Sequence, residues 1–305
     1  MPLMGLLCGC NAIPIEEERA SDPLNSTRSA VIVGTVNWSS TNSLTEGYPI
    51  YNAGKVGYLD IPARATRCTA WLASTDIVIT NNHCIADAAQ AAGAQVAFNY
   101  NDGVSSASYV WYNCSTFLET WPEYDMTALR CGPRNGLTPG QAQGGWLHIS
   151  TTDAVNNQEL YVIHQNCDYY TDAWCSPTKK FSPGRVTHAN LTQTDVAYDA
   201  DTLGGSSGSP VFSSFHHVVA LHHLGYGGNS QGRGSYNSGV KASFLRAALY
   251  EIGVGWECGN GTCDPNEAND GSCPYDCTAL CQAKCSDGVT CCGADGSCPD
   301  GLSCW

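Results

Sequence analysis

Charge is scarce in this sequence, and basic charge most of all. Charged residues make up 14% of the 305 positions, well below the roughly 25% usual in globular chains. Lys and Arg number 14 against 28 Asp and Glu, a formal net charge of −14. Such a chain cannot neutralise a run of phosphates, which excludes a nucleic-acid partner. Also missing is any run of about 18 consecutive apolar residues, so no transmembrane span is expected. Glycine, by contrast, occurs 32 times and cysteine 18 times. That much cysteine suits an oxidising compartment rather than the cytosol, and the chain reads as exported. Its length allows one large domain or two smaller ones with a real core.

The cysteines fall into three sets. Cys8 and Cys10 close an apolar N-terminal stretch, while Cys68, Cys84, Cys114, Cys131, Cys167 and Cys175 spread through the middle. Ten more, from Cys258 to Cys304, crowd the end. The middle and final sets are both even, so each can pair internally. The rise in cysteine density after Trp256 marks a boundary and divides the chain into 1–30, 31–256 and 257–305.

The stretch Leu7-Cys8-Gly9-Cys10 resembles the end of a bacterial lipoprotein signal, in which the last cysteine carries the lipid. No basic residue precedes it and the apolar stretch is short for a signal peptide, so an ordinary apolar tail is the other reading. Residues 11–30, with Glu16-Glu17-Glu18-Arg19, read as a solvated linker or pro-segment. The expected location is secreted or lipid-anchored at a bacterial cell surface.

Between 31 and 240, short β-branched and aromatic runs alternate with Gly, Asn, Ser and Pro clusters. Val31-Ile32-Val33, Ile77-Val78-Ile79-Thr80, Tyr161-Val162-Ile163 and Val218-Val219-Ala220-Leu221 are examples. The spacing predicts an all-β antiparallel sandwich or barrel. The helical spacing of Phe244, Leu245, Ala248 and Leu249 predicts one helix over 242–253.

Three motifs carry chemistry. In Gly204-Gly205-Ser206-Ser207-Gly208-Ser209-Pro210 a serine flanked by glycines lets the backbone turn sharply, exposing a hydroxyl and aiming N–H donors at one point. Those donors suit the oxyanion that a nucleophilic serine creates in acyl transfer. Thr80-Asn81-Asn82-His83-Cys84 ends a β-type run, and a Cys68–Cys84 disulfide would staple the preceding strand to the loop carrying His83. Tyr124-Asp125-Met126 sets an acid against an apolar strand, flanked by Cys114 and Cys131. Each motif alone also fits an ordinary loop, a structural histidine or a surface acid.

Together, the order His83, Asp125, Ser207 resembles chymotrypsin-like serine peptidases over residues 30–256. The resemblance implies two packed six-stranded β barrels with a cleft between them. It implies Ser207 as nucleophile, His83 as the base that later protonates the leaving amine, and Asp125 as the group orienting the imidazole. Gly205 and Ser207 N–H groups would form the oxyanion hole. No cofactor is required, the substrates are proteins or peptides, and a monomer is expected.

The string Asp201 to Pro210 is most similar to the glutamyl endopeptidase branch. In that branch a threonine and a histidine, here Thr202 and His222, help bind the substrate's carboxylate, to which both can donate. Asp201 supports a rival reading, cleavage after Lys or Arg, and His222 can equally be a hydrogen-bonded wall residue. Ser206 stands where trypsin-type enzymes keep the aspartate that receives a freed N-terminus, so that switch is not expected; Ile32-Val33-Gly34 resembles a mature N-terminus but lacks this acceptor. His148, His164, His188, His216 and His217 have no motif partner and read as structural or surface. Cys167 and Cys175 bracket a polar, aromatic loop that a disulfide would close.

Residues 257–305 resemble small secreted modules of bacterial extracellular proteins. Their apolar content is too thin for a core, so disulfides must supply the constraint. Zinc is the competing use of such cysteines. Asp264, Asn266, Glu267 and Asp276 could chelate calcium, although a solvated acidic loop is the favoured reading. Two other classes stay open: an inactive homologue used for binding, and an adhesion or cell-surface attachment protein dominated by this module.

Overall fold

The computed structural model describes residues 30–45, 47–167 and 176–254. The lipoprotein-like start with Cys8 and Cys10, the loop cysteine Cys175 and the whole cysteine-rich module with its calcium candidates lie outside the described residues.

The chain runs through β1 (Ile32–Val33), β2 (Ser39–Ser40), β3 (Val56–Ile61), β4 (Thr66–Leu72), β5 (Ile77–Thr80), β6 (Gln95–Ala97), β7 (Trp111–Asn113), β8 (Thr116–Trp121) and β9 (Met126–Arg130). It continues through β10 (Glu159–Gln165), β11 (Lys179–His188), β12 (Asp195–Tyr198), β13 (Pro210–Ser213), β14 (Val218–Tyr226), β15 (Arg233–Gly234) and β16 (Tyr236–Lys241). The final helix, Ala242–Glu251, buries Leu245, Ala248 and Leu249, the face that the spacing predicts. Gly253, at φ +74°, follows it in the left-handed conformation that commonly ends helices.

Two antiparallel sheets carry the domain, as the double-barrel expectation requires. The C-terminal sheet runs β10-β13-β14-β16-β12-β11, and the β10–β11 ladder closes it into a six-stranded barrel with β2 added at β11. The N-terminal sheet has seven strands, β7-β6-β3-β4-β5-β9-β8, with no ladder between its edge strands among the described residues. One corner is nevertheless tied. The Gly132 amide donates to the Asn113 carbonyl at 2.7 Å, and a Cys114–Cys131 disulfide joins the same two places. Only two residues separate β7 from β8, so the chain folds back there instead of completing a ladder.

One apolar core spans both sheets. Trp71, Ile79 and Met126 come from the N-terminal sheet, Phe212 and Leu221 from the barrel, and Leu245 and Leu249 from the helix. Burying one large apolar side chain is worth about 1.5–3 kcal/mol, so this seam holds the two halves together. Thr69 of β4 then pins the seam at the site. Its amide donates to the Ser207 carbonyl at 2.9 Å and its hydroxyl to the Gly205 carbonyl at 2.8 Å.

No helix among the described residues is long and apolar enough to cross a membrane.

Candidate active site

The His83 side of the cleft is built from β5 and the corner before β9. β5 is four buried residues, Ile77-Val78-Ile79-Thr80, after which a tight turn presents His83. The turn is fastened three ways: the Cys68–Cys84 disulfide ties it to β4, Arg64 donates to the His83 and Cys84 carbonyls, and Asn82 donates to the Thr120 hydroxyl at 2.8 Å.

Asp125 follows the short turn Pro122–Tyr124 with φ +44°, a left-handed conformation that Asp tolerates better than branched residues. Its Oδ1 accepts the His83 amide at 2.8 Å and its Oδ2 accepts His83 Nδ1–H at 2.7 Å. A carboxylate that takes Nδ1–H leaves Nε2 as the free basic nitrogen, the form a general base needs. Burial alone would raise Asp125. The His223 and His83 rings beside it outweigh that and hold the carboxyl far below its ordinary range.

Opposite stands the loop 203–209. Gly205 at φ +103° and Gly208 at φ +85° take conformations that side chains rarely adopt. A Cβ at Gly205 would lie 2.6 Å from the Gln165 carbonyl, and one at Gly208 2.3 Å from the Thr69 carbonyl. These contacts explain the glycines around Ser207: the loop lies against β10 of the barrel at Gly205 and against β4 of the N-terminal sheet at Gly208, at distances only glycine permits. Ser207 is half-buried, and its hydroxyl and amide make no hydrogen bond among the described residues. The Gly205 amide is likewise uncommitted among them, so both expected oxyanion donors are available. His83 and Ser207 therefore share no hydrogen bond here; such contacts often tighten only with substrate bound.

Beneath this loop lies a chain of hydrogen bonds that the sequence does not announce. Ser182 donates to the Asp201 carbonyl at 2.7 Å and so accepts from His164 Nε2–H at 3.1 Å. His164 Nδ1, left with its lone pair, accepts the Ser206 hydroxyl at 2.7 Å, and Ser206 Oγ accepts the Leu203 amide at 3.2 Å. Every member is satisfied with a neutral ring, consistent with burial pushing His164 down to about 3. Ser206 thus fastens the loop through an imidazole instead of an ion pair. Ser206→Ala is expected to cost about 1–3 kcal/mol of stability. It should also lower kcat by about tenfold with KM little changed, as a loosened set of oxyanion donors would. Thermal unfolding and steady-state kinetics check both.

The other nominated residues divide. Asp201 turns toward β1: Oδ1 accepts the Val33 amide at 2.7 Å and Oδ2 the Asn37 amide at 2.8 Å. Thr202 is fully buried and donates its hydroxyl proton to Asn237 Oδ1 at 2.8 Å. Val31 also donates to Asn237 Oδ1 at 2.9 Å and accepts the Thr202 amide at 3.1 Å, and Ile32-Val33 pairs with Arg233-Gly234, so this segment is held beside the loop. His222, buried on β14, contacts the Tyr198 hydroxyl through Nδ1 at 2.7 Å and leaves Nε2 unpartnered. Burial first, then the neighbouring histidines, hold it neutral, well below its ordinary value. Of the middle cysteines, Cys68–Cys84 and Cys114–Cys131 are bonded, and Cys167 is in a disulfide. Among the described residues no cluster of His, Cys, Asp or Glu could hold a metal ion.

A closed β barrel beside a curled sheet, with the turn that carries the His83–Asp125 pair and the glycine-rich Ser207 loop both fastened to β4, is the architecture of the chymotrypsin-like serine peptidases. A family model described as trypsin-like peptidase domain matches residues 68–221, half of the chain, and the chain belongs to that family. It is 30% identical over 172 residues to the "Secreted RxLR effector protein 73" of Plasmopara viticola, covering 52% of this chain and 41% of that protein. This chain therefore matches less than half the length of that curated relative. Among solved structures it is similar to a Glu endopeptidase in complex with MPD (TM-score 0.56, 18% identity, 73% of this chain and 100% of that one). It is also similar to the Rv3671c protease of M. tuberculosis in its active form (TM-score 0.50, 14% identity, 82% of this chain and 95% of that one). At these identities the likeness is one of fold.

Proposed function

We propose that this protein is an exported serine endopeptidase that cleaves peptide bonds through an acyl-enzyme and prefers Glu on the acyl side of the cut. The observation that carries the hydrolytic reading is the His83–Asp125 contact of 2.7 Å, on a turn stapled to the strand that holds the Ser207 loop. His83 takes the Ser207 proton as the hydroxyl attacks the carbonyl carbon and returns it to the leaving amine. Asp125 steadies the imidazolium between the two transfers, and the Gly205 and Ser207 amides bind the oxyanion. Water repeats the sequence to release the acid.

The Glu preference rests on His222 Nε2, a buried polar atom with no partner in the free protein. The Tyr198 hydroxyl can donate either to the Ser238 carbonyl at 3.1 Å or to His222 Nδ1. In the second case Nε2 carries the proton and can donate to a carboxylate oxygen. The fold neighbour named as a Glu endopeptidase supports this reading. Asp201 supports the Lys/Arg alternative poorly, because both of its oxygens are occupied by backbone amides of the β1 region. Thr202 has likewise given its proton to Asn237, which leaves His222 to recognise the carboxylate. The disulfides fit an extracellular location.

Digestion of a mixed peptide library by the full chain tests the proposal, with Ser207→Ala as control. Cuts should follow Glu and vanish in the control. His222→Leu should lower kcat/KM for Glu-containing peptides by about 10²-fold or more while sparing neutral ones. Cuts after Lys or Arg would move the specificity to Asp201, and cuts that persist in the control would remove Ser207 as nucleophile.

A further inference from the structure

His223 follows His222 on β14 and is nearly as deeply placed, its side chain 8% exposed. Its Nε2 lies 3.1 Å from Asp195 Oδ2, at the start of β12. Its Nδ1 lies 3.5 Å from Asp125 Oδ2, the same oxygen that accepts His83 Nδ1–H at 2.7 Å. The Nδ1 contact is too long for an aligned hydrogen bond, so this buried nitrogen has an anion before it and no other partner.

A neutral imidazole carries one N–H and one lone pair. With a carboxylate oxygen in front of each ring nitrogen, the neutral ring would turn its lone pair on one of them. Only the doubly protonated ring presents a donor to both. Burial disfavours that charge, but the two carboxylates outweigh it and raise His223 to about 9. The other groups facing the ring do not compete: His222 beside it is held neutral by burial, and burial keeps Tyr198 of β12 protonated, well above its ordinary value.

We propose that His223 is a positioning residue for peptide hydrolysis: as an imidazolium wedged between Asp125 and Asp195, it fixes the Asp125 carboxylate behind the His83 ring and shapes the pH profile of hydrolysis by its charge. The relay thus runs Asp195, His223, Asp125, His83, with alternating charge. Fixing comes from the ring's rigid anchorage on Asp195, whose other oxygen accepts the Thr194 hydroxyl at 3.0 Å. The pH effect comes from charge. The two Nδ1 atoms touch one oxygen at 2.7 and 3.5 Å, so they lie no more than about 6 Å apart. A cation there opposes the second cation that forms when His83 is protonated.

This inference rests on the proposed triad, and the test separates the two. In the full chain, kcat/KM is measured against pH for the parent and His223→Gln, which keeps polarity but cannot be charged. The acid limb should move to higher pH by about one unit, with about a tenfold loss at the plateau. A profile lowered at every pH with its acid limb unmoved would show a merely structural role and overturn the proposal. Imidazole ¹⁵N spectra of the inactive Ser207→Ala protein give a readout that needs no activity. One ring should remain doubly protonated at pH 8, and its signal should be absent when His223→Gln is added. A neutral His223 at that pH would overturn the proposal even if hydrolysis is confirmed. A parent that cleaves nothing while this signal persists would instead sink the protease reading. If His223→Gln does not fold, Asp195→Asn leaves the ring in place and removes one counter-charge. The imidazolium should then lose its proton at least one pH unit lower than in the parent, and an unchanged titration would overturn the proposal.

Discussion

Ser207→Ala is expected to lower kcat/KM for peptide hydrolysis by about 10⁵-fold or more and to leave the fold intact. The reason for the first half is chemical. Without the hydroxyl there is no atom to form the acyl bond, and the remaining oxyanion donors act only on slow attack by water. The reason for the second half is structural. The Ser207 side chain makes no hydrogen bond among the described residues, and its carbonyl still receives the Thr69 amide, so no buried group is orphaned. Tm should stay within about 2 °C of the parent. His83→Ala should cost a comparable factor, and the double variant little more, because residues that act as one unit do not lose activity additively. Calorimetry with progress curves on a Glu-containing peptide checks all three. A Ser207→Ala protein within tenfold of the parent would exclude this serine as nucleophile.

The second large effect is expected at Gly208. An added methyl would lie 2.3 Å from the Thr69 carbonyl oxygen and 2.5 Å from Thr80 Oγ1, on a residue already at φ +85°. Neither atom is free to yield, since the Thr80 hydroxyl donates to that carbonyl at 2.9 Å in the seam between the sheets. Overpacking costs about 1–3 kcal/mol and the left-handed backbone about 1–2 more, so Gly208→Ala should destabilise by about 2–5 kcal/mol. The loop can relieve the clash only by backing away from Thr69, which carries Ser207 with it, and kcat/KM should fall by about 10³-fold. Gly204→Ala is the matched control on the same loop. Its Cβ would meet nothing within 4 Å and its φ is ordinary, so stability and activity should stay near the parent's. Urea denaturation and steady-state kinetics on the pair separate the two; equal behaviour would mean that the close approach is unimportant.

Much of the architecture is legible because its signals are local. Ile77-Val78-Ile79-Thr80 becomes β5 with all four residues buried, and Phe244, Leu245, Ala248 and Leu249 mark the final helix almost to its end. The short helices Tyr48–Ala53, Ala88–Ala91 and Pro139–Gln143 are not legible, since four to six residues show no full turn of periodicity. His83, Asp125 and Ser207 can be nominated because each motif adjoins an apolar strand or a glycine pair. Asp195 and His223 cannot: a lone acid and the second of two histidines carry no pattern, and 28 residues separate them. His164 reads from sequence as structural or surface, and only the closed barrel brings it to Ser206, 42 residues later. The one faint signal is His222-His223 itself, two adjacent histidines in a strand that buries both.

The Asp125 corner leans on the last element of the domain. Trp121 Nε1 donates to Glu251 at 2.8 Å, and the Tyr124 ring packs 5.2 Å from that of Phe244, so the helix Ala242–Glu251 braces the turn from which Asp125 projects. A domain cut short before this helix would therefore leave the Trp121 N–H and the Tyr124 ring without these two contacts, at the corner that carries Asp125.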